Sequence, residues 1–342
     1  MKKSMERLCL GYIFTMNVPN PAASPLKTIP WNNHRGAVSF TFDDGRESQL
    51  GNLAPMLDAM PEVKVTFFLS GITAQQRIHQ IEGFAELLRK GHEVGNHTFD
   101  HPYLTEVGEP AELRRQILDY AENLETLFKN VNCRISTFAT PYCANSGTVQ
   151  ECIGKRHFIN RDCGWGGCYR WDEEPAWLSI MSKAWNRNET TVEDMNRLVD
   201  SALDPKDGGW AILLNHGVEE DSDEYNIDPK DMKEILEHAR NGKIWVAPFG
   251  TVGAYYRAHF VMDATPVEMA DGGYRMKWEM PHPHMPASIP LMVKIDERWL
   301  AQAFGSTENV VVIQGDDVIR ADSNGFYTIE FTKRSLEILA SS

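Results

Sequence analysis

The sequence predicts an α/β fold in which parallel strands are joined by crossover helices, arranged as a barrel or as an open sheet. Seven apolar, strand-like runs alternate with amphipathic, helix-like segments between residues 37 and 248, and this order is typical of parallel sheets. Beyond about residue 260 the pattern changes to strand-like runs separated by turns. This change predicts a small C-terminal β domain.

The predicted strands are short runs rich in β-branched and aromatic residues. They cover residues 37–42, 63–69, 92–94, 135–139, 157–160, 211–214 and 244–248. In parallel α/β folds the loops that follow the carboxyl ends of the strands gather the functional groups. The residues directly after each strand are therefore the first candidates for a site.

Helices are predicted between these strands from apolar spacing and start signals. Apolar residues recur at helical spacing over 109–128. Thr190 and Glu193 form a capping box before another helix. Asp228 followed by Pro229 predicts the start of a third.

Two further segments carry a structural prediction. Asn324-Gly325 predicts a hairpin turn between two C-terminal strands. The segment 162–188 holds aromatic residues without a clean period, which predicts a long loop over one end of the fold. Its aromatic side chains could stack on sugar rings or pack the loop onto the core. They are Trp165, Tyr169, Trp171, Trp177 and Trp185.

Composition narrows the range of functions. The 342-residue chain is 42% hydrophobic, which suits one large domain or one domain with a smaller appendage. Its formal net charge of -14 argues against a nucleic-acid partner, because such proteins hold phosphates with clustered Lys and Arg.

The N-terminal segment bears on location. No apolar run approaches the roughly 20 residues that span a bilayer, so no transmembrane helix is expected. Residues 1–24 faintly resemble a secretory signal, but Gly11 and Thr15 interrupt the short apolar stretch. A cytoplasmic location is therefore slightly favoured, with a secreted or periplasmic one as the alternative.

The cysteines leave their chemistry open. Five of the six lie between residues 133 and 168, with no CxxC pair, and Cys9 stands apart. Free buried thiols or one or two disulfides fit this spacing better than a structural zinc site. His282 and His284 could bind a metal, although a solvated linker is the stronger expectation for the PHPH sequence.

The strand-like run VSFTFDDG, residues 38–45, ends in two adjacent carboxylates, Asp43 and Asp44. Successive side chains of an extended chain point to opposite sides, so the two acids can serve different partners. At a buried edge they would repel each other unless a cation lies beside them. An ordinary Asp-Asp-Gly turn explains the same residues, so further motifs are needed to decide.

Three such motifs follow later strands. The sequence GHEVGNHTFDHPYL places His97 and His101 four residues apart. Two imidazoles and one carboxylate suit Zn²⁺ or a similar divalent ion and leave positions for water and substrate. Pro141 and Tyr142 begin a loop that could offer a backbone N–H to a developing oxyanion. The apolar strand AILLNHG ends at His216.

Together these stretches resemble the NodB-homology polysaccharide deacetylases, carbohydrate esterase family four, over about residues 35–260. The pattern of that family runs TFDDG, H-[ST]-x-x-H, R-x-P-Y, an Asp-Trp element and L-x-H-[DG]. The corresponding residues of this chain are 41–45, 97–101, 139–142, Trp165 and 214–217.

The resemblance implies a distorted (β/α) barrel of about seven parallel strands that holds one divalent metal ion, usually Zn²⁺, with Co²⁺ or Ni²⁺ as alternatives. It implies Asp44, His97 and His101 as metal ligands, Asp43 as catalytic base and His216 as catalytic acid. Together with the change of pattern near residue 260, it predicts three regions, namely an N-terminal extension over 1–30, a catalytic barrel over 31–260 and a β-rich accessory domain over 261–342.

The implied reaction is the attack of a metal-bound water on an acetyl carbonyl. The base would take the proton of that water, the metal and the Tyr142 amide would stabilise the oxyanion, and His216 would protonate the leaving group. The substrate pocket would include Pro141, Trp165 and Leu214.

Two positions depart from the family pattern. Ala139 replaces the usual arginine of the third motif, and Gly164 replaces the acidic residue that usually precedes the tryptophan. The paired loss avoids stranding one buried charge, but it leaves open how Asp43 is tuned. Asp162 could reach the site instead, although an ordinary loop carboxylate is the simpler interpretation.

The sequence therefore predicts a metal-dependent hydrolase that removes N-acetyl groups from aminosugar polymers or O-acetyl groups from xylan-type hemicellulose. Its expected partner is an acetylated oligo- or polysaccharide, and its oligomeric state stays open. The alternatives are a hydrolase of a non-sugar amide on the same fold, a non-catalytic carbohydrate-binding protein, and an iron oxygenase with two histidines and one carboxylate.

Overall fold

The computed structural model describes residues 24–73, 77–164, 167–204, 208–306 and 310–341. The signal-like segment and Trp165, predicted to line the pocket, lie outside the described residues. No helix in the described ranges is long and apolar enough to cross a membrane.

The regular elements of the described residues follow in chain order. The strands are β1 (Leu26–Thr28), β2 (Gly36–Asp43), β3 (Thr66–Leu69), β4 (Glu93–Asn96), β5 (Thr137–Ala139), β6 (Ile159–Arg161), β7 (Tyr169–Arg170), β8 (Lys183–Ala184), β9 (Gly209–Asn215), β10 (Ile244–Val246), β11 (Val267–Ala270), β12 (Gly273–Lys277), β13 (Pro290–Ile295), β14 (Val310–Gln314), β15 (Asp317–Ile319), β16 (Tyr327–Glu330) and β17 (Ser335–Ala340). The α-helices are α1 (Ala54–Asp58), α2 (Ile78–Arg89), α3 (Pro110–Arg114), α4 (Tyr120–Leu127), α5 (Gly147–Ile153), α6 (Val192–Ser201), α7 (Pro229–Ala239), α8 (Phe249–Ala264) and α9 (Glu297–Phe304).

The seven predicted strands all form, as β2, β3, β4, β5, β6, β9 and β10. They pair in parallel in the order β6-β5-β4-β3-β2-β9. One edge of β2 serves two neighbours, because β10 pairs with its first residues and β3 with its last. Every residue of β2 is buried, as expected for the central strand of a parallel sheet covered on both faces. The predicted α/β fold with a distorted barrel is confirmed.

The segment after β6 differs from the predicted long loop. Its backbone bridges the two outer strands, because Ile180 pairs with Arg161 of β6 and β8 pairs in parallel with β9. Aromatic side chains anchor this connection. Trp185 is buried and donates its indole N–H to the Asn226 carbonyl at 3.1 Å, and Trp171 stacks on His259 with ring centroids 4.1 Å apart. These two tryptophans therefore pack the segment onto the core.

The predicted helices are present, with differences at their ends. The helix predicted over 109–128 consists of α3, a π-helical turn at Arg115–Asp119 and α4. The capping box of α6 is formed by Thr191 and Asp194, one residue later than predicted, and the Thr190 side chain is buried instead. Helix α7 begins at Pro229 as predicted.

The C-terminal strands lie in two antiparallel sheets, in the orders β1-β13-β16 and β11-β12-β17-β14-β15. The first sheet also includes β1, from the N-terminal part of the chain. The prediction of a hairpin at Asn324-Gly325 was wrong. The hairpin turns at Gly315 and Asp316 between β14 and β15, whereas Asn324 and Gly325 connect β15 to β16, which lies in the other sheet. Glycine suits both turns, with φ angles of 65° at Gly315 and 80° at Gly325. Only the pairing of the flanking strands therefore determines which of the two turns is a hairpin.

Helix α8 joins the barrel to the C-terminal sheets. Phe249 packs on Trp210 of β9, with ring centroids 5.3 Å apart, and the Tyr255 hydroxyl donates to the Ile29 carbonyl at 2.6 Å. The same apolar cluster includes Leu291 of β13. The division into 1–30, 31–260 and 261–342 stays a prediction.

A chain of buried hydrogen bonds supports the loop that follows β4. The Asn96 amide group donates to the Ile117 carbonyl at 2.7 Å and to His157 Nε2 at 3.3 Å, and its Oδ1 accepts from the Thr98 amide at 2.8 Å. Because His157 is fully buried, desolvation lowers its pKa from 6.5 to about 3. The folded protein therefore holds this imidazole in its neutral form.

We predict that acid destabilises the fold through His157. The unfolded histidine binds a proton near pH 6.5, whereas the folded one stays neutral until about pH 3. Stability is therefore lost as the pH falls through this window, by about 1.4 kcal/mol per pH unit. Urea unfolding between about pH 7 and pH 4 should show a shallower pH dependence for His157→Gln than for the wild type. The introduced carboxamide can still accept from Asn96.

The matched control is His79→Gln, because the His79 side chain is 64% exposed. This variant should keep the pH slope of the wild type. Equal slopes for the wild type and His157→Gln would contradict the prediction.

Candidate active site

The predicted site residues converge at the carboxyl ends of the central strands. Asp43 is the last residue of β2, His97 follows β4 and His216 follows β9. His97 Nε2 lies 3.6 Å from Asp43 Oδ2 and 3.7 Å from Asp44 Oδ1, and His101 Nε2 lies 3.5 Å from Asp44 Oδ1. The structure thus brings both carboxylates and both histidines of the motifs together.

The Asp-Asp-Gly sequence forms a left-handed turn that points its two acids in different directions. Asp44 and Gly45 have φ angles of 72° and 62°, a region that Asp tolerates and Gly adopts freely. A Cβ atom on Gly45 would lie 2.8 Å from Leu69 Cδ2. Arg77 donates hydrogen bonds to the carbonyls of Asp44 and Gly45, which holds the turn in place. The Asp-Asp-Gly turn therefore also forms part of the candidate site.

The histidine loop is also strained and braced. Thr98 and His101 have φ angles of 69° and 56°, which is unusual for non-glycine residues and is frequent at functional sites. The His101 amide donates to Thr98 Oγ1 at 3.1 Å. Asp100 is tied to the π-helical turn, because its amide donates to Gln116 Oε1 at 2.9 Å. These contacts fix the direction of both imidazoles.

Asp44, His97 and His101 fit a divalent metal ion. Their ligand atoms all lie within 4.8 Å of one another, and the Nε2 atoms of the two histidines are 3.1 Å apart. His97 Nδ1 donates to the Ala139 carbonyl at 2.8 Å, which leaves the Nε2 lone pair facing the cluster. Two imidazole nitrogens and a carboxylate are the donor set expected of a zinc-type site with open positions.

The electrostatics of the cluster agree with this fit. Burial raises the pKa of Asp44, but nearby His97, His216, His101 and Arg46 outweigh it, so the pKa is held below its usual value. Burial and the neighbouring His97 lower the pKa of His101. Ionised carboxylate and neutral imidazole are the forms that bind a metal.

Asp43 has one occupied and one free oxygen. Its side chain is 4% exposed. Arg161 donates to Oδ2 at 2.5 Å, whereas Oδ1 is buried without a hydrogen-bond partner in the described part of the chain. A buried carboxylate oxygen without a partner is costly. Oδ2, the oxygen that Arg161 binds, is also the one that lies 3.6 Å from His97 Nε2.

Arg161 pairs with Asp43, although the arginine of the family pattern is absent at position 139. It is 1% exposed, and its guanidinium also lies 5.4 Å from the centre of the Phe68 ring. Ala139 and Arg161 are register partners on the adjacent strands β5 and β6, so the cation reaches Asp43 from the neighbouring strand. Sequence reasoning missed Arg161, although its position directly after the predicted strand 157–160 was a usable signal.

Asp162, considered as a replacement, serves another purpose. Its carboxylate accepts from Asn145 Nδ2 at 2.7 Å and from Ser179 Oγ at 3.0 Å. It therefore braces the loop after β6, and the simpler interpretation of a loop carboxylate fits these contacts.

A disulfide joins the loops that follow β5 and β6. Cys143 and Cys163 are bonded, with Cα atoms 5.3 Å apart, so Tyr142 is tied to the segment that contains Gly164. Cys133, Cys152 and Cys168 are free thiols, and Cys9 lies outside the described residues. Of the alternatives left open by the sequence, one disulfide with free thiols is present in the described ranges.

The predicted pocket residues take different positions. Pro141 is buried, and Tyr142 has a φ of 54° with 52% of its side chain exposed. The Tyr142 ring lies edge-on to His101 with centroids 4.5 Å apart. Leu214 is buried in β9, two residues before His216 and hence on the same side of the chain.

His216 follows β9 and the third-motif loop follows β5, and the strand order places β9 and β5 on opposite sides of β2. His216 Nδ1 has no hydrogen-bond partner in the described ranges. Burial lowers its pKa, and the attraction of Asp43 and Asp44 opposes this shift. Gln49 donates to the backbone carbonyls of Asp43 and His216 at 2.6 and 3.1 Å, which ties the ends of β2 and β9 together.

Arg46 is a second residue that sequence reasoning missed. Its Nε donates to Asp44 Oδ2 at 3.2 Å, and one terminal nitrogen donates to Asp223 Oδ2 at 2.6 Å and Asn226 Oδ1 at 2.7 Å. Arg46 therefore holds Oδ2 of Asp44, a predicted metal ligand, and it also holds the loop after His216. A basic residue directly after TFDDG was the available signal.

His282 and His284 are bound to the protein. His282 Nε2 donates to the Gly154 carbonyl at 2.8 Å, and His284 Nδ1 lies 3.0 Å from Arg134. Neither joins a metal-ligating cluster in the described part of the chain.

Fold and site together define a class of protein. It is an α/β barrel with an Asp-His-His set and a separate buried carboxylate at the carboxyl ends of its parallel strands. Residues 32–156 match the polysaccharide deacetylase family. The resemblance to the NodB-homology polysaccharide deacetylases is therefore confirmed over these residues.

Similar proteins agree with this assignment. A peptidoglycan-N-acetylglucosamine deacetylase of Bacillus cereus is 37% identical over 100 residues, which are 29% of this chain and 34% of the relative. A chitooligosaccharide deacetylase of Sinorhizobium fredii is 37% identical over 98 residues, 28% of this chain and 42% of the relative. The chain thus spans less than half the length of these relatives.

A solved structure agrees at the level of the fold. A Mycobacterium smegmatis protein assigned to the polysaccharide deacetylases superposes with a TM-score of 0.51 at 17% identity, covering 71% of this chain and 97% of that protein. The shared fold thus extends beyond the residues that match the family model.

We predict that His97→Ala and His101→Ala bind Zn²⁺ at least about 10-fold more weakly than the wild type, because each removes one of three ligands. Calorimetric titration with Zn²⁺ and elemental analysis of the dialysed proteins measure this. His79→Ala, at an exposed histidine, should bind as the wild type does. Stoichiometric zinc in His97→Ala would contradict the ligand assignment.

We predict that Arg161→Met destabilises the fold by about 3–5 kcal/mol, because it strands the buried carboxylate of Asp43. Adding Asp43→Asn should recover part of this loss, since the carboxamide carries no charge. Urea unfolding of the two single variants and the double variant forms a double-mutant cycle.

The control for this cycle is Lys333→Met, which breaks the exposed ion pair with Asp317 and should change stability little. Additive losses in the Arg161 and Asp43 cycle would show that the two charges do not depend on each other.

Proposed function

We propose that this protein is a metal-dependent deacetylase that removes N-acetyl groups from an aminosugar polymer. The observation that carries the proposal is Asp43, a buried carboxylate beside the Asp44, His97 and His101 cluster. Its Oδ2 lies 3.6 Å from His97 Nε2, and its Oδ1 has no hydrogen-bond partner in the described residues. The similarity to peptidoglycan and chitooligosaccharide deacetylases supports an N-acetyl substrate. Removal of O-acetyl groups from xylan-type hemicellulose uses the same attack step and belongs in the same test.

In this proposal Asp44, His97 and His101 hold one divalent ion, with zinc as the best fit to their donor atoms. Such an ion supplies a Lewis acid that polarises a carbonyl oxygen and lowers the pKa of water. The chain itself supplies the proton transfers and the positioning. Arg46 keeps the Asp44 carboxylate oriented through its outer oxygen.

Asp43 is the proposed general base. Arg161 occupies Oδ2, so Oδ1 is the atom that takes the proton from the attacking water. Arg161 thus acts as a positioning residue for Asp43.

His216 and Tyr142 complete the proposed reaction from two sides. His216 delivers a proton to the departing sugar amine. The Tyr142 amide, held in a left-handed turn next to the disulfide, donates to the oxyanion that develops on the acetyl oxygen. Leu214, buried on the same side of β9 as His216, limits the space for the acyl group.

We predict that Asp43→Asn lowers kcat for acetate release at least about 100-fold while zinc stoichiometry stays at the wild-type level. The carboxamide keeps the shape of the side chain but cannot take a proton. Acetate release and elemental analysis on the same sample separate the two effects. A near-normal kcat would overturn the assignment of the base, and loss of zinc would make Asp43 a ligand.

The deciding experiment measures acetate from acetylated chitooligosaccharides, peptidoglycan fragments and acetylated xylan with the zinc-loaded protein. Release from the first two and not from xylan is the expected result. Acetate release in the absence of oxygen and of an oxoacid cosubstrate would exclude the oxygenase alternative. Failure to release acetate from every acetylated sugar would overturn the proposed function and favour a non-sugar amide or a binding role.

A further inference from the structure

Exposed tyrosines in the described structure are confined to the candidate site. Of the ten tyrosines in the chain, those exposed in the described ranges are Tyr103, Tyr142 and Tyr225, with 48%, 52% and 42% of their side chains accessible. Tyr142 contacts the His101 ring and Tyr225 contacts the His216 ring, with centroids 4.5 and 5.5 Å apart. Aromatic surface therefore flanks the cluster on two sides.

On the first side the aromatic surface is a stacked pair. Tyr103 and Tyr142 lie nearly parallel, at 10°, with centroids 4.0 Å apart. Their backbone is fixed, because Tyr142 precedes the disulfide-bonded Cys143 and the Tyr103 carbonyl accepts from the Glu106 amide at 2.9 Å. Neither the fold nor the proposed proton transfers require the exposed Tyr103 ring.

On the second side Tyr225 lies in the loop 218–227, which is held together by contacts within the loop. Val218 and Ile227 form a bridge that closes the loop. Inside it, buried Asn226 accepts from the Gly217 amide at 2.9 Å and donates to Glu219 and Asp221. A Cβ on Gly217 would lie 2.4 Å from Asn226 Oδ1, so this close approach requires glycine.

Arg46 couples this loop to the cluster. It donates to Asp223 and Asn226 on either side of Tyr225, and also to Asp44. The Tyr225 amide in turn donates to Asp223 Oδ1 at 3.0 Å. The backbone of Tyr225 is therefore positioned relative to Asp44.

We propose that Tyr103 and Tyr225 are sugar-stacking residues that bind the pyranose rings on either side of the acetylated residue. The inference rests on the proposed function. Pyranose rings present flat C–H faces, which pack on exposed aromatic rings held in place without ordering cost. Rings on both sides of the cluster select an internal residue of an oligosaccharide of at least three sugars over a single acetylated sugar.

The test compares the wild type, Tyr103→Ala and Tyr225→Ala on a chitotetraose carrying N-acetyl groups and on an aryl acetate with no sugar. Each alanine variant should lower the ratio of kcat/KM on the tetrasaccharide to kcat/KM on the aryl ester about 3- to 10-fold, mainly through KM. Tyr103→Phe and Tyr225→Phe keep the ring and should restore the ratio. Met269→Ala, at an exposed apolar residue of β11, should leave the ratio unchanged.

The outcomes are distinct. An unchanged ratio in both alanine variants, or a parallel fall on both substrates, would overturn the stacking role. If the wild type releases no acetate from any sugar, the proposed function fails, and calorimetric titration with the tetrasaccharide decides the present inference by itself. Weaker binding in the alanine variants would then support it, and binding equal to that of the wild type would overturn it.

Discussion

The ion pair between Asp43 and Arg161 is the interaction on which the site depends. Both side chains are almost fully buried, at 4% and 1% exposure, where a single uncompensated charge is very costly. The guanidinium donates to Oδ2 of the carboxylate and leaves Oδ1 without a hydrogen-bond partner in the described residues. One contact therefore supports the fold and sets which carboxylate oxygen has no hydrogen-bond partner.

The backbone around this pair is held in unusual conformations by contacts from distant segments. Left-handed residues occur in the Asp-Asp-Gly turn, the histidine loop and the Pro141–Cys143 turn. Arg77, Gln116 and the Cys143–Cys163 disulfide brace these three segments. Strained conformations persist only where their surroundings determine them. The candidate site is thus a rigid edge of the barrel, onto which Arg46 fixes the loop that carries Tyr225.

Much of this arrangement could be predicted from the sequence, because the governing signals are local. The seven parallel strands follow from short apolar runs, and the candidate ligand set follows from residues directly after strand ends. Predictions failed where pairing between distant segments determines the local structure. Asn324-Gly325 has the composition of a hairpin turn, but its flanking strands belong to different sheets. The aromatic segment after β6 has no period, yet it bridges β6 and β9.

By itself the sequence determined that Asp43, Asp44, His97, His101 and His216 would meet at one edge, because carboxyl ends of parallel strands share that edge. Only the tertiary structure decided which cation would reach Asp43. Ala139 and Arg161 are register partners on neighbouring strands. The guanidinium that the family pattern has at position 139 is therefore supplied in this chain from position 161. Arg161 and Asp43 are 118 residues apart, and their contact depends on the order and curvature of strands, which no local pattern encodes.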